Sequence, residues 1–226
     1  MERKHLAVLL PHTDVILESD FRAALPANWV CHVCRMYLEE VGEEAEKRMV
    51  DQEVPRALHT LRGIVPFDGV VFGCTSASAV YGRQGMEALH RQMGDVLGCP
   101  ANSAFGALKD RLRARGEPPL ALFTPYTPQV NRFFCGTLES FGLKPVFQVG
   151  LGLSGDPEIA ACPPEKIRQL ARANREKVRA AGARIAVFSC TNFRAMEIRE
   201  QLEEILDLPV LTSNQCLAHW VKTLDT

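Results

Sequence analysis

An internal repeat constrains the fold more than any other feature of this 226-residue sequence. Three segments recur in the same order: residues 9–13 (LLPHT) and 123–127 (FTPYT), 71–75 (VFGCT) and 187–191 (VFSCT), 99–103 (CPANS) and 208–214 (LPVLTSN). The spacing agrees, because Pro11 precedes Cys74 by 63 residues and Pro125 precedes Cys190 by 65. Three matches in register exceed chance, so the sequence predicts a duplicated unit.

Short apolar runs alternate with longer amphipathic stretches, which is typical of parallel α/β folds. Predicted strands are 5–10, 29–35, 69–74, 119–123, 145–150, 184–190 and 209–212. Predicted helices are 43–61, 81–93, 103–115, 128–141, 163–181, 194–206 and 213–224, and Pro55 kinks or splits the first of these. We predict two pseudo-symmetric Rossmann-like halves, each with a parallel sheet of about four strands, and a cleft between them. The halves are 1–115, which the C-terminal helix closes, and 116–226, with a linker at 115–119 (RGEPP).

The charge balance excludes several classes of partner. The chain has 26 basic and 27 acidic residues, so its net charge of -1 provides no field for nucleic acid or an anionic membrane. The opening apolar run, 6–10, is too short for a signal peptide, and no run approaches the roughly 18 to 20 apolar residues of a membrane span. We expect a cytoplasmic homo-oligomer, a dimer or a tetramer, with free thiols at its eight cysteines.

Cys74 and Cys190 occupy equivalent positions in the repeat, each directly after a predicted strand. A single buried cysteine is usually a core residue, but ligands of such folds bind beyond the carboxyl ends of the strands, and the pairing favours two thiols that face one cleft. Helix N-terminal N–H groups are expected to lower the pKa of each thiol from roughly 8.5. Two such thiols permit two-base racemisation of a bound carboxylate, or covalent addition to an activated double bond.

Four motifs resemble the Asp/Glu racemase superfamily: GCTSAS (73–78), TPYT (124–127), SCTNFRA (189–195) and TSNQCLAHW (212–220). The sequence is most similar to the maleate isomerase and arylmalonate decarboxylase branch, and especially to the racemase-like proteins of ectoine utilisation. Residues 12–14 and 18–22 resemble that last group too. The resemblance covers essentially the whole chain.

The resemblance implies roles for individual residues. Cys74 and Cys190 match the two catalytic positions, while Thr75, Ser76 and Tyr126 match the donors that hold a substrate carboxylate, and the backbone after Cys190 completes the cradle. The similar decarboxylases have glycine at the first cysteine position, which argues against plain decarboxylation here. Maleate isomerases have asparagine in place of Asp14 and another within 155–157 (GDP), and these two departures weigh against maleate itself.

Further polar residues complete the predicted substrate site. Asp14 either attracts a cationic substrate group, which favours an amino acid, or caps a helix. His12 is the counterpart of Tyr126 in the repeat, and either donates to the ligand or has a structural hydrogen bond. Asn102 and Asn214 either contact the ligand or cap helices. Donors that follow the cysteines are expected to build the carboxylate nest, among them Thr191 and Asn192.

No cofactor is expected. The glycine-rich motifs G-x-x-x-x-G-K and G-x-G-x-x-G are absent, and residues 150–152 (GLG) come closest. Cys31 and Cys34 form a single C-x-x-C without a second pair at zinc-binding spacing, so we predict no metal site. The predicted function is a cofactor-independent, two-cysteine racemase or isomerase of a small amino or dicarboxylic acid. The alternatives are an arylmalonate-type decarboxylase and a non-catalytic protein that binds small carboxylates.

Overall fold

The computed structural model describes residues 2–225, except for the side chain of Ala79. The first sheet contains β1 (Lys4–Pro11), β2 (Trp29–Met36), β3 (Gly69–Phe72) and β4 (Ala101–Ser103) in the order β2-β1-β3-β4. The second contains β5 (Leu120–Tyr126), β6 (Pro145–Leu153), β7 (Ile185–Phe188) and β8 (Val210–Thr212) in the order β6-β5-β7-β8. All pairings are parallel and both sheets have the same strand order. The predicted fold class, two similar parallel α/β halves, is confirmed.

The helices that connect the strands also follow the repeat. They are α1 (Leu17–Ala24), α2 (Glu43–Arg48), α3 (Val54–Leu61), α4 (Gly82–Leu97), α5 (Ala104–Arg113), α6 (Pro128–Ser140), α7 (Asp156–Ala160), α8 (Pro164–Ala180), α9 (Arg199–Leu206) and α10 (Ser213–Thr223). The predicted boundary between residues 115 and 116 lies in the connection from α5 to β5, while Met1 and Thr226, the outer ends of the predicted halves, lie outside the described residues. Helix α10 packs against α1 and α5.

Three short elements and one helix break differ from the prediction. The strand β4 and the helices α1 and α7 were not predicted, because runs of three to eight largely polar residues have no clear periodicity. The predicted helix over 43–61 is split by a π-helical turn at Met49–Glu53. Pro55 lies in the first turn of α3, where its missing N–H costs no helical hydrogen bond.

One apolar cluster joins the two halves. It contains β1 and β3 residues of the first sheet, such as Leu6 and Val71, together with β5 and β7 residues of the second, such as Leu122 and Val187. The ring of Phe105 on α5 lies 5.6 Å from that of Phe134 and 5.1 Å from that of Phe141, which both belong to the second half. The sheets therefore share a core, which fixes the position of one half relative to the other.

The cysteines are free thiols. Cys31 and Cys34 lie three residues apart on the edge strand β2, so their side chains point to opposite faces of the sheet and pack against different clusters. Within residues 2–225, no three histidine, cysteine or acidic side chains are close enough to hold one metal ion. None of the helices in that range is long and apolar enough to cross a membrane.

We predict that Phe105→Ala destabilises both halves together. The ring is fully buried at the contact between them, and truncation of a buried phenylalanine costs about 3–5 kcal/mol. Urea unfolding followed by circular dichroism should show one transition at a lower midpoint. Val96→Ala, at a partly exposed position on α4, is the control and should change little. If Phe105→Ala lowers the free energy of unfolding by less than about 1 kcal/mol, or unfolds in two separate transitions, the shared core is contradicted.

Candidate active site

A small, narrow cavity lies between the halves, at the carboxyl ends of the strands. Its volume is about 10 Å³, roughly the room that one water molecule requires. Leu38 and Val41, from the segment between β2 and α2, cover it, and Val41 packs against the core of the second half. Its wall contains eight predicted site residues: Asp14, Cys74, Thr75, Ser76, Tyr126, Cys190, Thr191 and Asn192.

Equivalent backbone contacts bring the two cysteines to this cavity. The strands β3 and β7 end two residues before Cys74 and Cys190. In the first half Gly73 N–H donates to Leu9 O at 2.6 Å, and in the second Ser189 N–H donates to Phe123 O at 2.9 Å. Cys190 has a φ of +155°, a strained backbone conformation that is often found at functional sites. The repeat thus places one thiol of each half on a common cavity.

The pKa values of both thiols are raised, in contrast to the expected lowering. Backbone N–H groups do donate to them, from Ala77 to Cys74 and from Asn192 to Cys190, and these bonds lower the pKa of each thiol. Burial is nevertheless the largest effect, because a thiolate loses its solvation in the narrow cavity. The neighbouring acids, Glu46 beside Cys74 and Asp156 beside Cys190, raise the pKa values further.

Two acidic side chains in the wall were not among the predicted site residues. Glu46, on α2, accepts a hydrogen bond from the Ser76 hydroxyl, and burial raises its pKa to about 8. Asp156, at the start of α7, accepts a 2.5 Å hydrogen bond from the Thr13 hydroxyl, and burial raises its pKa too. The sequence indicated Asp156 only as part of the segment 155–157, where maleate isomerases have an asparagine. The sequence did not indicate Glu46 as a site residue, because helix α2 contains three glutamates and periodicity does not indicate which one is buried.

Asp14 bonds the backbone at the start of α1 and also lies in the cavity wall, while its attraction of a cationic substrate group stays a prediction. Its Oδ1 accepts the N–H groups of Ile16 and Leu17 at 3.0 and 2.9 Å, which begins α1. Its buried Oδ2 has no hydrogen-bond partner in the described part of the chain. The nearby Thr191 hydroxyl lowers the pKa of Asp14 but donates its proton to Gly73 O at 3.1 Å, and burial raises that pKa overall. An acceptor at the cavity is thus left for a ligand.

The remaining wall residues differ in how free their side chains are. Tyr126, at the end of β5, packs against Phe134, and its hydroxyl donates to the Cys190 thiol and lowers its pKa. Thr75 donates to Ser213 Oγ at 3.1 Å. The amide of Asn192 is fully occupied, since it accepts from Val15 N–H and donates to the carbonyls of Thr13 and Asp156.

Three predicted ligand contacts lie behind the wall. His12 Nδ1 accepts the Leu38 N–H at 3.2 Å, and Asn102 Oδ1 accepts the Ser103 N–H at 2.8 Å. Asn214 Nδ2 donates to Asp20 Oδ2 at 2.6 Å and to Thr191 O at 2.8 Å. Neither asparagine is the cap of its helix, because the hydroxyls of Ser103 and Thr212 cap α5 and α10. Ligand contact by these three residues stays a prediction.

The fold and the site define an α/β protein of two duplicated halves with a thiol from each on one cavity. A family model described as arylmalonate decarboxylase matches residues 35–224, and the chain belongs to this family. The predicted branch of the Asp/Glu racemase superfamily is thereby confirmed.

Maleate isomerases are similar over the whole chain. The enzyme of Geobacillus stearothermophilus is 20% identical over 222 residues, which are 92% of this chain and 86% of that protein. The crystal structure of the maleate isomerase of Pseudomonas putida S16 has a TM-score of 0.89 at 19% identity and covers 99% of this chain and 94% of that one. A mutant Nocardia farcinica maleate cis-trans isomerase with a covalently bound succinylcysteine intermediate has a TM-score of 0.87 at 19% identity, covering 98% and 92%.

We predict that Asp20→Asn increases stability at neutral pH. Asp20 supports the Cys190 segment through Asn214, and burial raises its pKa from 3.8 to about 6. As pH rises, the unfolded chain therefore loses this proton before the folded chain does. The free energy of unfolding of the wild type falls by up to roughly 3 kcal/mol between pH 4 and 6. Asparagine keeps the acceptor for Asn214 and removes this loss.

Urea unfolding at pH 4.5, 6 and 7.5 measures the effect. The stability difference between Asp20→Asn and the wild type should grow with pH, while Asp95→Asn, at an exposed position on α4, should follow the wild type. A difference that is independent of pH shows that Asp20 ionises normally in the folded chain.

Proposed function

We propose that this chain is a cofactor-independent isomerase of a small carboxylic acid, either a racemase or a cis-trans isomerase, in which Cys74 and Cys190 both react. The observation that carries the proposal is that these two thiols, one from each half, line a single narrow cavity. Tyr126 and the backbone N–H groups after the cysteines supply donors for the substrate carboxylate. A narrow cavity also limits the access of water, which protects a reactive carbanion from uncontrolled protonation.

The two reactions use the same thiols differently. In racemisation, the thiolate of one cysteine takes the α-proton while the thiol of the other donates its proton to the opposite face of the carbon. In cis-trans isomerisation, a thiolate adds to the double bond, the new single bond rotates, and the thiolate leaves again. The succinylcysteine in the Nocardia farcinica enzyme supports the second route as an option for this chain.

The charge of the wall favours an amino acid over a dicarboxylate. Asp14, Glu46 and Asp156 contribute three carboxyls, whereas no lysine, arginine or histidine is among the described wall residues. A dianion would meet no positive charge in the wall and would oppose the ionisation of these carboxyls, whose pKa values burial already raises. A substrate ammonium group would instead pair with Asp14 Oδ2 and lower the pKa of the nearby thiols, and so promote their ionisation when substrate binds.

Decarboxylation is the second candidate, because the matching family model is that of arylmalonate decarboxylase. The cysteine at position 74, where the resemblance implies glycine in decarboxylases, favours isomerisation. A binding protein without turnover would hold the same ligands but exchange no substrate proton. The link to ectoine utilisation and the cytoplasmic location stay predictions.

The test is a screen of small acids with the purified chain in D₂O. Loss of the α-proton signal from alanine, aspartate and glutamate, followed by NMR, reports racemisation. Conversion of maleate to fumarate reports cis-trans isomerisation, and carbon dioxide release from phenylmalonate reports decarboxylation. Ligands that shift the melting temperature without any of these reactions would identify a binding protein.

We predict that Cys74→Ser and Cys190→Ser each abolish turnover while the fold stays intact. A serine hydroxyl is a far weaker acid than a thiol and cannot replace either proton carrier. Cys99→Ser, in the first half and outside the cavity wall, is the matched control and should keep full activity. If either cavity variant racemises near the wild-type rate, the two-thiol mechanism is wrong.

We predict that Tyr126→Phe and Asp14→Asn change the affinity for different classes of ligand. Loss of a hydrogen bond to a carboxylate costs roughly 1.5–3 kcal/mol, so Tyr126→Phe should weaken every carboxylate ligand about ten- to a hundredfold. Asp14→Asn should weaken amino acids and leave or improve the binding of maleate, since it removes a negative charge. Tyr37→Phe, at an exposed tyrosine, is the control. Equal effects of Asp14→Asn on both ligand classes contradict the cationic preference.

A further inference from the structure

The Ser76 hydroxyl lies between a thiol and a carboxyl group. Ser76 Oγ is 3.9 Å from Cys74 Sγ and donates a hydrogen bond to Glu46 Oε1. The three side chains are buried, with exposures of 6% for Cys74, 3% for Ser76 and 2% for Glu46. A hydroxyl both donates and accepts, so this chain of three groups can pass a proton along its length.

The groups that face Glu46 carry no positive charge. Glu43 comes from its own helix, Asp156 from α7, Tyr126 from the end of β5, and Cys74 from the segment after β3. Glu46 has no ion-pair partner among residues 2–225. Two negative charges side by side in this setting, on Glu46 and on Cys74, repel each other at low dielectric.

We propose that Glu46 and Cys74 share one proton and one negative charge through Ser76, and that Glu46 thereby exchanges protons with Cys74 during turnover. When Glu46 is ionised, Ser76 donates to the carboxylate and accepts the Cys74 S–H. When the charge moves, the thiol proton passes to Ser76 Oγ as the Ser76 proton passes to Glu46. The products are a thiolate, a hydroxyl that donates to it, and a neutral carboxylic acid, so atoms and charge balance.

Cys190 lacks an equivalent route. The Tyr126 hydroxyl is its side-chain hydrogen-bond donor, and burial raises the pKa of this tyrosine well above the usual range, so Tyr126 keeps its proton. Asp156 and Asp14 act on Cys190 through their charge. The role of Glu46 in turnover rests on the proposed two-thiol reaction, whereas the pairing with Cys74 does not.

The pairing predicts how the reactivity of Cys74 depends on pH. Iodoacetamide labels thiolates, and peptide mass spectrometry separates Cys74 from Cys190, which lines the same cavity and corrects for access. In the wild type, the Cys74-to-Cys190 labelling ratio should fall above pH about 8, where Glu46 ionises and holds the charge. In Glu46→Gln the fall should disappear, and Cys74 should be labelled roughly five- to twentyfold faster than in the wild type at pH 9.5.

Three further variants identify which groups cause the fall in the Cys74-to-Cys190 labelling ratio. Glu43→Gln, one turn earlier on α2 and outside the cavity wall, should keep the fall and move it to lower pH by less than Asp156→Asn does, because the Glu43 charge raises the pKa of Glu46 less than the Asp156 charge does. Asp156→Asn should keep the fall but move it to lower pH, because the Asp156 charge raises the pKa of Glu46. Ser76→Ala should slow Cys74 labelling roughly two- to tenfold at neutral pH, since the thiolate loses its hydroxyl donor.

Two results overturn the proposal. A Glu46→Gln profile identical to that of the wild type shows that the two groups titrate independently. Unchanged labelling in Ser76→Ala shows that the hydroxyl does not connect them. Labelling requires no substrate, so a chain without any measurable turnover still tests the pairing, and failure of the proposed isomerase function is distinguished from failure of the pairing.

Discussion

The apolar core that the two sheets share is the constraint on which the site depends. Each thiol belongs to a different half, and the wall of their cavity contains residues of both halves. Contacts such as those of Phe105 with Phe134 and Phe141 hold the halves in one arrangement. The shared core brings the strand ends of the two halves together around a cavity no larger than one water molecule requires.

The narrowness of this cavity determines the electrostatics of the site. In an open cleft, the N–H groups of Ala77 and Asn192 would favour thiolates, as they do at many reactive cysteines. In the narrow cavity the same bonds are present, but the lost solvation outweighs them and both thiols are neutral at rest. The carboxyls of the wall add to the effect, so a cationic ligand or an internal proton acceptor is what would ionise a thiol. The structure therefore makes the ionisation of each thiol depend on the charged groups inside the cavity.

The topology and much of the wall could be predicted from the sequence because the repeat aligns Cys74 with Cys190 at equivalent strand ends. The repeat aligns His12 with Tyr126, but the two side chains have different contacts: His12 accepts the backbone N–H of Leu38, one of the two alternatives considered for it, and Tyr126 reaches Cys190. Glu46 could not be predicted, because its position depends on where the segment after β2 crosses the cavity. That path is set by tertiary contacts such as those of Val41 with the second half.

The halves differ two residues after each cysteine, and this difference makes the thiols chemically unequal. Ser76 follows Cys74, and its hydroxyl can pass a proton to Glu46. Asn192 follows Cys190, and its amide makes three hydrogen bonds: two cross the cleft to Val15 and Thr13, and one joins Asp156 in its own half. An amide in such a network holds the halves together but does not carry a proton. The first half therefore supplies a thiol with a proton acceptor, and the second supplies a thiol fixed by Tyr126 on a rigid, strained loop. A reaction in which one thiol changes its protonation state more readily than the other follows from this asymmetry, although the two positions began as copies.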